Sequence, residues 1–354
     1  MPIYKLIFLL VAASGIAYIS MPYVIQLAMR LGAVDQPEQR KVHKHVMPRL
    51  GGLGIFSAFI IILLFGVQVS DPILGIMIGG TVIFIVGMLD DIYQLPPWVK
   101  LIGQSIAAAI AIYFGVVVNF VTNPFDGPIH LGYLSIPVTF LWIVGISNAI
   151  NLIDGLDGLA AGVSGIAAAT IGFVAYTQGQ QTVFVAAFIL VAAIIGFLPY
   201  NFHPARTFMG DGGSNFLGFI LGCLAVMGLT KSTAVISLFV PIVILGIPIF
   251  DTFFAIIRRI NNKAPIFMPD KSHLHHRLMA IGYGHRKTVL IIYSISGFFG
   301  LVAILLNFVN RPGATLVLAV LLLFIVAGAE KIGMRTGGTI EIPKRGKTAS
   351  TSHM

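Results

Sequence analysis

Residues 147–162 read SNAINLIDGLDGLAAG, a polar stretch set between two long apolar runs. Asn148, Asn151, Asp154 and Asp157 recur there at an interval of three, and residues three apart on a helix are neighbours on one face. Two amides and two carboxylates on such a face suit a hard divalent cation and its phosphate ligands, because Mg²⁺ takes oxygen donors and is commonly shared between protein and substrate phosphates. A polar patch lining a helix contact is the plainer alternative. Against it, ionisable groups are costly among membrane helices and are retained there for function.

The surroundings of this stretch fix the fold class. Of 354 residues, 57% are hydrophobic and only 10% charged, and mean hydropathy is +0.95. A soluble domain has about 25% charged residues, so composition points to an all-α, polytopic integral membrane bundle. Apolar runs of about 18 residues or more are candidate spans. Eleven are read, near 4–29, 50–69, 73–89, 99–119, 134–150, 159–177, 182–200, 215–230, 234–257, 288–308 and 313–330, the fifth and eighth being short. The first follows Lys5 with no small-residue cleavage site, so it reads as a span and not as a removed signal. A single membrane-embedded domain, 1–335, is expected, with a polar, basic, flexible tail over 336–354. The one cysteine, Cys223, sits inside an apolar run, which excludes an intramolecular disulfide and reads as a small buried side chain.

Loop parity gives the orientation. If 30–49 faces one side, the segments near 90–100, 151–158, 201–214, 258–287 and the tail after 330 face it too. Those segments hold 19 of the 22 Lys and Arg residues, which assigns that side to the cytoplasm, the N-terminus to the exterior and the C-terminus to the cytoplasm. The net charge of +9 is therefore a topology signal and not a nucleic-acid footprint. Asp90, Asp91, Asp154, Asp157 and Asp211 all fall on the same side, and five converging carboxylates demand cations. The opposite face offers only Asp71 and Asp126 in short loops.

Four further segments carry chemistry. In the first basic loop, Arg40, Lys41, His43, Lys44, His45 and Arg49 supply positive charge that could clamp a pyrophosphate, with anchoring near lipid headgroups as the alternative. Asp90 and Asp91 end a span, and adjacent carboxylates repel unless a metal or cation is close. Lys100, just past Trp98, is placed to meet a lipid phosphate at headgroup level, or simply to snorkel. Asp211 lies between Gly210 and Gly212-Gly213, where glycines let backbone approach a phosphate and the next span starts with free N–H groups. In the longest loop His273, His275, His276 and Arg277 cluster; with an arginine beside them and no zinc-protease spacing, phosphate or nucleotide binding is favoured over zinc. His130, His203 and His285 have no such company, and His130 reads as a surface residue.

Taken in order, GMLDD at 87–91, NAINLIDGLDGLA at 148–160, FMGDGGSNFLG at 208–218 and SHLHHRL at 272–278 resemble the bacterial polyprenyl-phosphate N-acetylhexosamine-1-phosphate transferases, the family of MraY, WecA and TagO. The likeness covers nearly the whole chain. RKVHKHVMPRLGG at 40–52 and SHLHHRL look like the WecA and TagO branch, which uses UDP-N-acetylglucosamine; the threonine-rich first loop and three consecutive histidines of the MraY branch are missing. By that resemblance Asp211 and Asn151 would be ligands of Mg²⁺, with Mn²⁺ as a substitute. Asp90 and Asp91 would sit at the polyprenyl phosphate, which Lys100 would bind. Asp154 and Asp157 would order the site and nucleotide, beside Asn148. His43, Lys44 and Arg49 of the first loop, with His273 to Arg277, would hold the UDP-sugar.

The implied reaction transfers N-acetylglucosamine 1-phosphate from UDP-GlcNAc to undecaprenyl phosphate, at the cytoplasmic face of a bacterial cytoplasmic membrane, to begin a surface polysaccharide such as teichoic acid or O-antigen. A homodimer is a family expectation. MraY-type transfer of a phospho-muramoyl-pentapeptide is the nearest alternative within the family. An intramembrane aspartyl protease would need a glycine where Phe208 stands. A cation-coupled transporter would show paired repeats and midplane acids. Asp251 is the one acid left over for that role, and it reads instead as a capping or interhelix hydrogen-bonding group.

Overall fold

The computed structural model describes residues 1–36, 46–123, 127–229, 239–263 and 273–331. His43, Lys44 and the tail 336–354 lie outside the described residues. Each of the eleven apolar runs carries helix. In chain order the elements are α1 (Ile3–Leu31), β1 (Val34–Asp35), β2 (Met47–Pro48), α2 (Gly52–Gly66), α3 (Asp71–Tyr93), α4 (Pro97–Tyr113), β3 (Phe120–Asn123) and β4 (Gly127–His130). There follow α5 (Ser135–Ile153), α6 (Leu159–Thr177), α7 (Gln181–Asn201), α8 (Gly210–Leu229), α9 (Phe239–Ile244), α10 (Gly246–Asn261), α11 (Leu274–Ala280), α12 (His285–Leu306) and α13 (Arg311–Lys331). The two strand pairs are short antiparallel hairpins, and His130, at the end of β4, is exposed.

Among the described residues eight helices are long and apolar enough to cross a membrane. Three of the eleven runs depart from that length. The helices α2 and α4 have 15 and 17 residues, short of the roughly 20 that a perpendicular crossing needs. The ninth run is divided at Leu245 into α9 and α10, where Gly246 and Pro248 disfavour an unbroken helix. The fifth and eighth runs, short by hydropathy, belong to full-length helices. The eighth is longer than read because α8 begins at Gly210 and not at 215.

Turn chemistry sets the ends that matter. Chain reversal after α1 uses Gly32 in the left-handed region. The α3 helix starts with proline in its first turn and stops at Gln94, also left-handed, and α4 begins at Pro97, again a residue tolerated only in a first turn. The stretch that opened the reading is not one helix. Ile153 ends α5 with Asp154 as its C-cap, and Gly158, with φ +78°, turns the chain into α6. Asn148 and Asn151 therefore share the α5 face, whereas Asp154 and Asp157 lie in the turn, because the two Asp-Gly steps terminate the helix.

At the centre stands α8, buried along nearly its whole length, while α1 and α13 lie open on the periphery. A helix apolar on every side is stable only when surrounded, and α8 packs on α2, α3, α5 and α6. Phe216 of α8 meets Phe56, Phe59 and Phe84 edge-on, and Phe56 stacks on Phe84 at 4.2 Å. This aromatic layer binds α2, α3 and α8 together just inside the polar end. Above it the helices nearly touch: a Cβ on Gly87 would lie 2.6 Å from the backbone of Asp211 and Gly212, so only glycine permits that approach.

Candidate active site

The start of α8 is held from two sides. Residues 48–52 run alongside 207–209, with Phe208 N–H donating to Pro48 O at 2.8 Å, Gly51 N–H to Phe208 O at 2.9 Å and Gly52 N–H to Met209 O at 2.8 Å. That pairing delivers Arg49 to the first turn of α8. From the other side, the last turn of α3 presents Asp91, whose two oxygens accept the N–H groups of Asp211 at 2.9 Å and Gly212 at 3.0 Å. Gly210 takes φ +76° between them, with Arg49 and Asp91 packed where a side chain would go.

The N–H groups that the sequence reading left free for a phosphate are thus occupied by Asp91. Its side chain is 1% exposed. A carboxylate at a helix start satisfies orphan donors and complements the helix dipole, which makes Asp91 an anchor for α8. Asp90 points elsewhere: its Oδ2 accepts from Lys100 Nζ at 2.8 Å, and the same ammonium donates to Asp211 Oδ2 at 2.9 Å. Arg49 lies 3.5 Å from Asp91 and 3.8 Å from Asp211. Burial alone would lower the Arg49 pKa, but the carboxylates of Asp91 and Asp211 outweigh it and raise it, so this guanidinium stays charged.

From α5, Asn151 Nδ2 donates to Asp211 Oδ1 at 3.2 Å and to Ser214 Oγ at 2.9 Å. Asn148 sits one turn deeper and meets no charge. With Gln104 of α4 and Asn215 of α8 it forms an amide network: Asn148 Nδ2 donates to Gln104 Oε1 at 2.7 Å, and Gln104 Nε2 to Asn215 Oδ1 at 2.9 Å. Asn215 in turn donates to Asp211 O at 2.8 Å. Gln104, Ser214 and Asn215 were missed by the sequence reading, and the available signal was a glutamine buried in an otherwise apolar run. Asp154 is half-buried beside this group; burial first, then the charge of Asp211, push its carboxyl up to about 7.

The histidine motif follows different rules. His273 precedes α11, and Asp251 of α10 receives both its ring Nδ1 at 2.8 Å and the N–H of Leu274 at 2.8 Å. Asp251 is therefore the capping group that the sequence suggested. The ring of His275 is buried against Gly155 of the α5–α6 turn; burial pushes its pKa down to about 3, so it is a neutral imidazole. His276, exposed, packs on His275 at 4.2 Å, and Arg277 is buried. Asp157 turns to a different partner, His203 Nδ1 at 2.8 Å, with His285 beside it. His203 and His285, read from sequence as isolated, thus stand together, because the ends of α7 and α12 meet at the α5–α6 turn.

All these groups lie at one end of the bundle, as loop parity required. Asp211 and Asn151 stand side by side, the amide turning its nitrogen to Asp211 and Ser214. Four carboxylates, Asp90, Asp91, Asp154 and Asp211, face two described cations, Arg49 and Lys100. Carboxylate oxygens clustered in this way suit one hard divalent cation.

A helical membrane bundle with such an end is built to handle phosphate at a membrane boundary. The chain belongs to glycosyl transferase family 4, in the superfamily of WecA, TagO and MraY; the family model matches residues 73–229. It is 45% identical over 315 residues, 88% of each chain, to the probable undecaprenyl-phosphate N-acetylglucosaminyl 1-phosphate transferase of Bacillus subtilis. Over 323 residues it is 35% identical to the decaprenyl-phosphate N-acetylglucosaminephosphotransferase of Mycolicibacterium smegmatis, covering 82% of this chain and 80% of that one. The undecaprenyl-phosphate alpha-N-acetylglucosaminyl 1-phosphate transferase of Escherichia coli K12 is 26% identical over 315 residues, 86% of this chain and 84% of that one. This membership sets aside the transporter and protease readings.

Proposed function

We propose that this protein transfers N-acetylglucosamine 1-phosphate from UDP-GlcNAc to undecaprenyl phosphate, releasing UMP and leaving undecaprenyl-diphospho-GlcNAc in a bacterial cytoplasmic membrane. The observation that carries the reading is the convergence of Asp90, Asp211, Lys100, Arg49 and Asn151 at the start of one buried helix. Support for the sugar and the lipid comes from the names of the relatives. The positive bias of the loops at that end argues for the cytoplasmic face, where a water-borne nucleotide and a membrane-borne phosphate can meet.

In the proposed reaction a phosphate oxygen of the lipid attacks the β-phosphorus of the UDP-sugar, and the bond from that phosphorus to the bridging oxygen breaks, with UMP as the leaving group. A phosphate monoester with a second pKa near roughly 6 is mostly dianionic at neutral pH, so no strong base is needed. Asp90 then serves to position Lys100. When phosphate enters, Lys100 exchanges a carboxylate partner for it, and Arg49 supplies the second fixed charge to the pyrophosphate. Asp211 and the Asn151 amide oxygen would hold Mg²⁺, which when bound neutralises charge on the pyrophosphate and the departing UMP. His275, neutral and buried, and Arg277 would border the nucleotide side.

The test is release of UMP from a panel of UDP-sugars by the purified protein with Mg²⁺, with and without undecaprenyl phosphate. Release that ignores the lipid, or that prefers UDP-MurNAc-pentapeptide, overturns the proposal.

A further inference from the structure

Lys100 and Gln104 stand four residues apart on α4, which places them on one face, a turn from each other. Both reach α8. Lys100 Nζ donates to Asp211 Oδ2 at 2.9 Å, and Gln104 Nε2 donates to Asn215 Oδ1 at 2.9 Å. Asp211 and Asn215 are themselves four apart on α8, joined by the bond from Asn215 Nδ2 to Asp211 O at 2.8 Å. Two successive rungs therefore connect the helices, a charged one at the site and an amide one a turn deeper.

Gln104 is engaged at both ends of its amide. Its Nε2 also donates to Asn148 Oδ1 at 3.2 Å, and its Oε1 accepts from Asn148 Nδ2 at 2.7 Å. An amide nitrogen carries two protons, and this one uses both, on α5 and on α8. Gln104 is 5% exposed and Asn215 4%. The other polar side chains of α4 point elsewhere: Trp98 and Tyr113 are exposed near its two ends, and the Ser105 hydroxyl turns back to Leu101 O.

A polar tie between membrane helices would explain a buried glutamine anywhere along α4. It does not explain the register. A lysine ammonium rides on a flexible four-carbon stem, so where it sits depends on how the helix beneath it is rotated. The outer face of α4 presents Leu101, Ile102 and Ile106, exposed apolar groups that would be equally at home after a small rotation. Gln104 opposes that rotation, because its amide must meet Asn148 and Asn215 at once.

We propose that Gln104 is a positioning residue for the transfer reaction: by pinning α4 to α5 and α8 one turn below Lys100, it holds the ammonium where the lipid phosphate takes it over. The inference rests on the proposed role of Lys100 as receiver of that phosphate. Gln104 itself lies about 5.4 Å deeper along the helix axis and acts through Lys100.

The experiment is a double-mutant cycle read as binding, so it requires no active variant. Full-length protein in nanodiscs is titrated with farnesyl phosphate, empty nanodiscs being subtracted, and separately with UDP and Mg²⁺. Gln104→Met keeps the length of the side chain and removes the amide. It should weaken farnesyl phosphate about tenfold and leave UDP within about twofold, and Lys100→Met should weaken farnesyl phosphate at least as much. In the Lys100→Met background the same Gln104→Met change should cost less than about twofold, since the group it acts through is gone. Equal losses in both backgrounds, or equal weakening of UDP, overturn the positioning role. Loss at Lys100→Met with none at Gln104→Met overturns it too and leaves the proposed reaction standing, whereas no loss at Lys100→Met removes both. Asn148→Ala takes away the α5 partner of Gln104 without altering α4, and so carries the test should Gln104→Met not fold. It should weaken farnesyl phosphate selectively, and unchanged binding there overturns the proposal.

Discussion

Two regions at the polar end of the bundle face the same problem, charge next to hydrocarbon, and solve it differently. At the α3–α8 seam the acids Asp90, Asp91 and Asp211 are met by Arg49 and Lys100 and by helix N–H groups. At the junction of the α5–α6 turn with α7, α11 and α12 the acids Asp157 and Asp251 are met by imidazoles. Fixed cations keep the seam charged at any physiological pH, as a phosphate-handling surface requires. Imidazoles instead can be neutral, so the junction need carry no fixed positive charge. On the proposed function the seam is the chemical region, and the junction is the frame that holds the turn beside it.

The sharpest way to break this contrast is Asp211→Asn, which keeps the size but removes the charge shared by Arg49, Lys100 and Asn151. Turnover should fall by at least about a hundredfold, measured as UMP release over a magnesium titration; near wild-type turnover would take Asp211 out of the chemistry. Next in size, Asp91→Asn should lose about 1.5–3 kcal/mol of stability, the range for hydrogen bonds to a charged group, seen as earlier thermal unfolding in detergent. Asp90→Asn should leave unfolding much less affected while raising the KM for the lipid phosphate. Equal unfolding shifts for the two would erase the distinction between anchor and positioning residue.

Gly87→Ala comes next, at about 1–2 kcal/mol, because its Cβ forces α3 off α8; an unchanged melting curve would show that the seam can relax.

The smallest effect separates the junction from the seam by pH. The His275 pKa is depressed from 6.5 to about 3 by burial, so the folded state binds fewer protons than the unfolded state between those values. Its contribution is fully present above pH 6.5 and is lost as pH falls toward 3, at about 1.4 kcal/mol per unit. Stability compared at pH 7.5 and 5.5 should therefore show roughly that loss over the last unit, and His275→Phe should flatten it. A wild-type profile no steeper than that of the variant would place the ring in contact with solvent.

Much of this was readable in the residues, for reasons that differ by element. Spans announce themselves by hydropathy, and the bias of Lys and Arg puts Asp90, Asp154 and Asp211 on one side before any coordinates exist. The helix-face reading of Asn148 to Asp157 failed halfway because an interval of three is equally that of two successive Asp-Gly turns. Gly210 to Gly213 looked like a loop, since glycine disfavours helix; Asp91 capping that first turn and close contact with Gly52 and Gly87 reverse the local preference. His203 and His285 could not be paired from sequence, being 82 residues apart and brought together where α7 ends and α12 begins.

The amide trio of Gln104, Asn148 and Asn215 has a consequence for the membrane itself. These side chains hydrogen-bond to one another and to the backbone oxygens of Val144 and Asp211 yet carry no titratable proton, so they make an uncharged floor beneath the charged groups that offers a proton no stepping stone. Gln104→Glu would put a hole of the relevant kind in that floor, visible as proton leak through reconstituted vesicles.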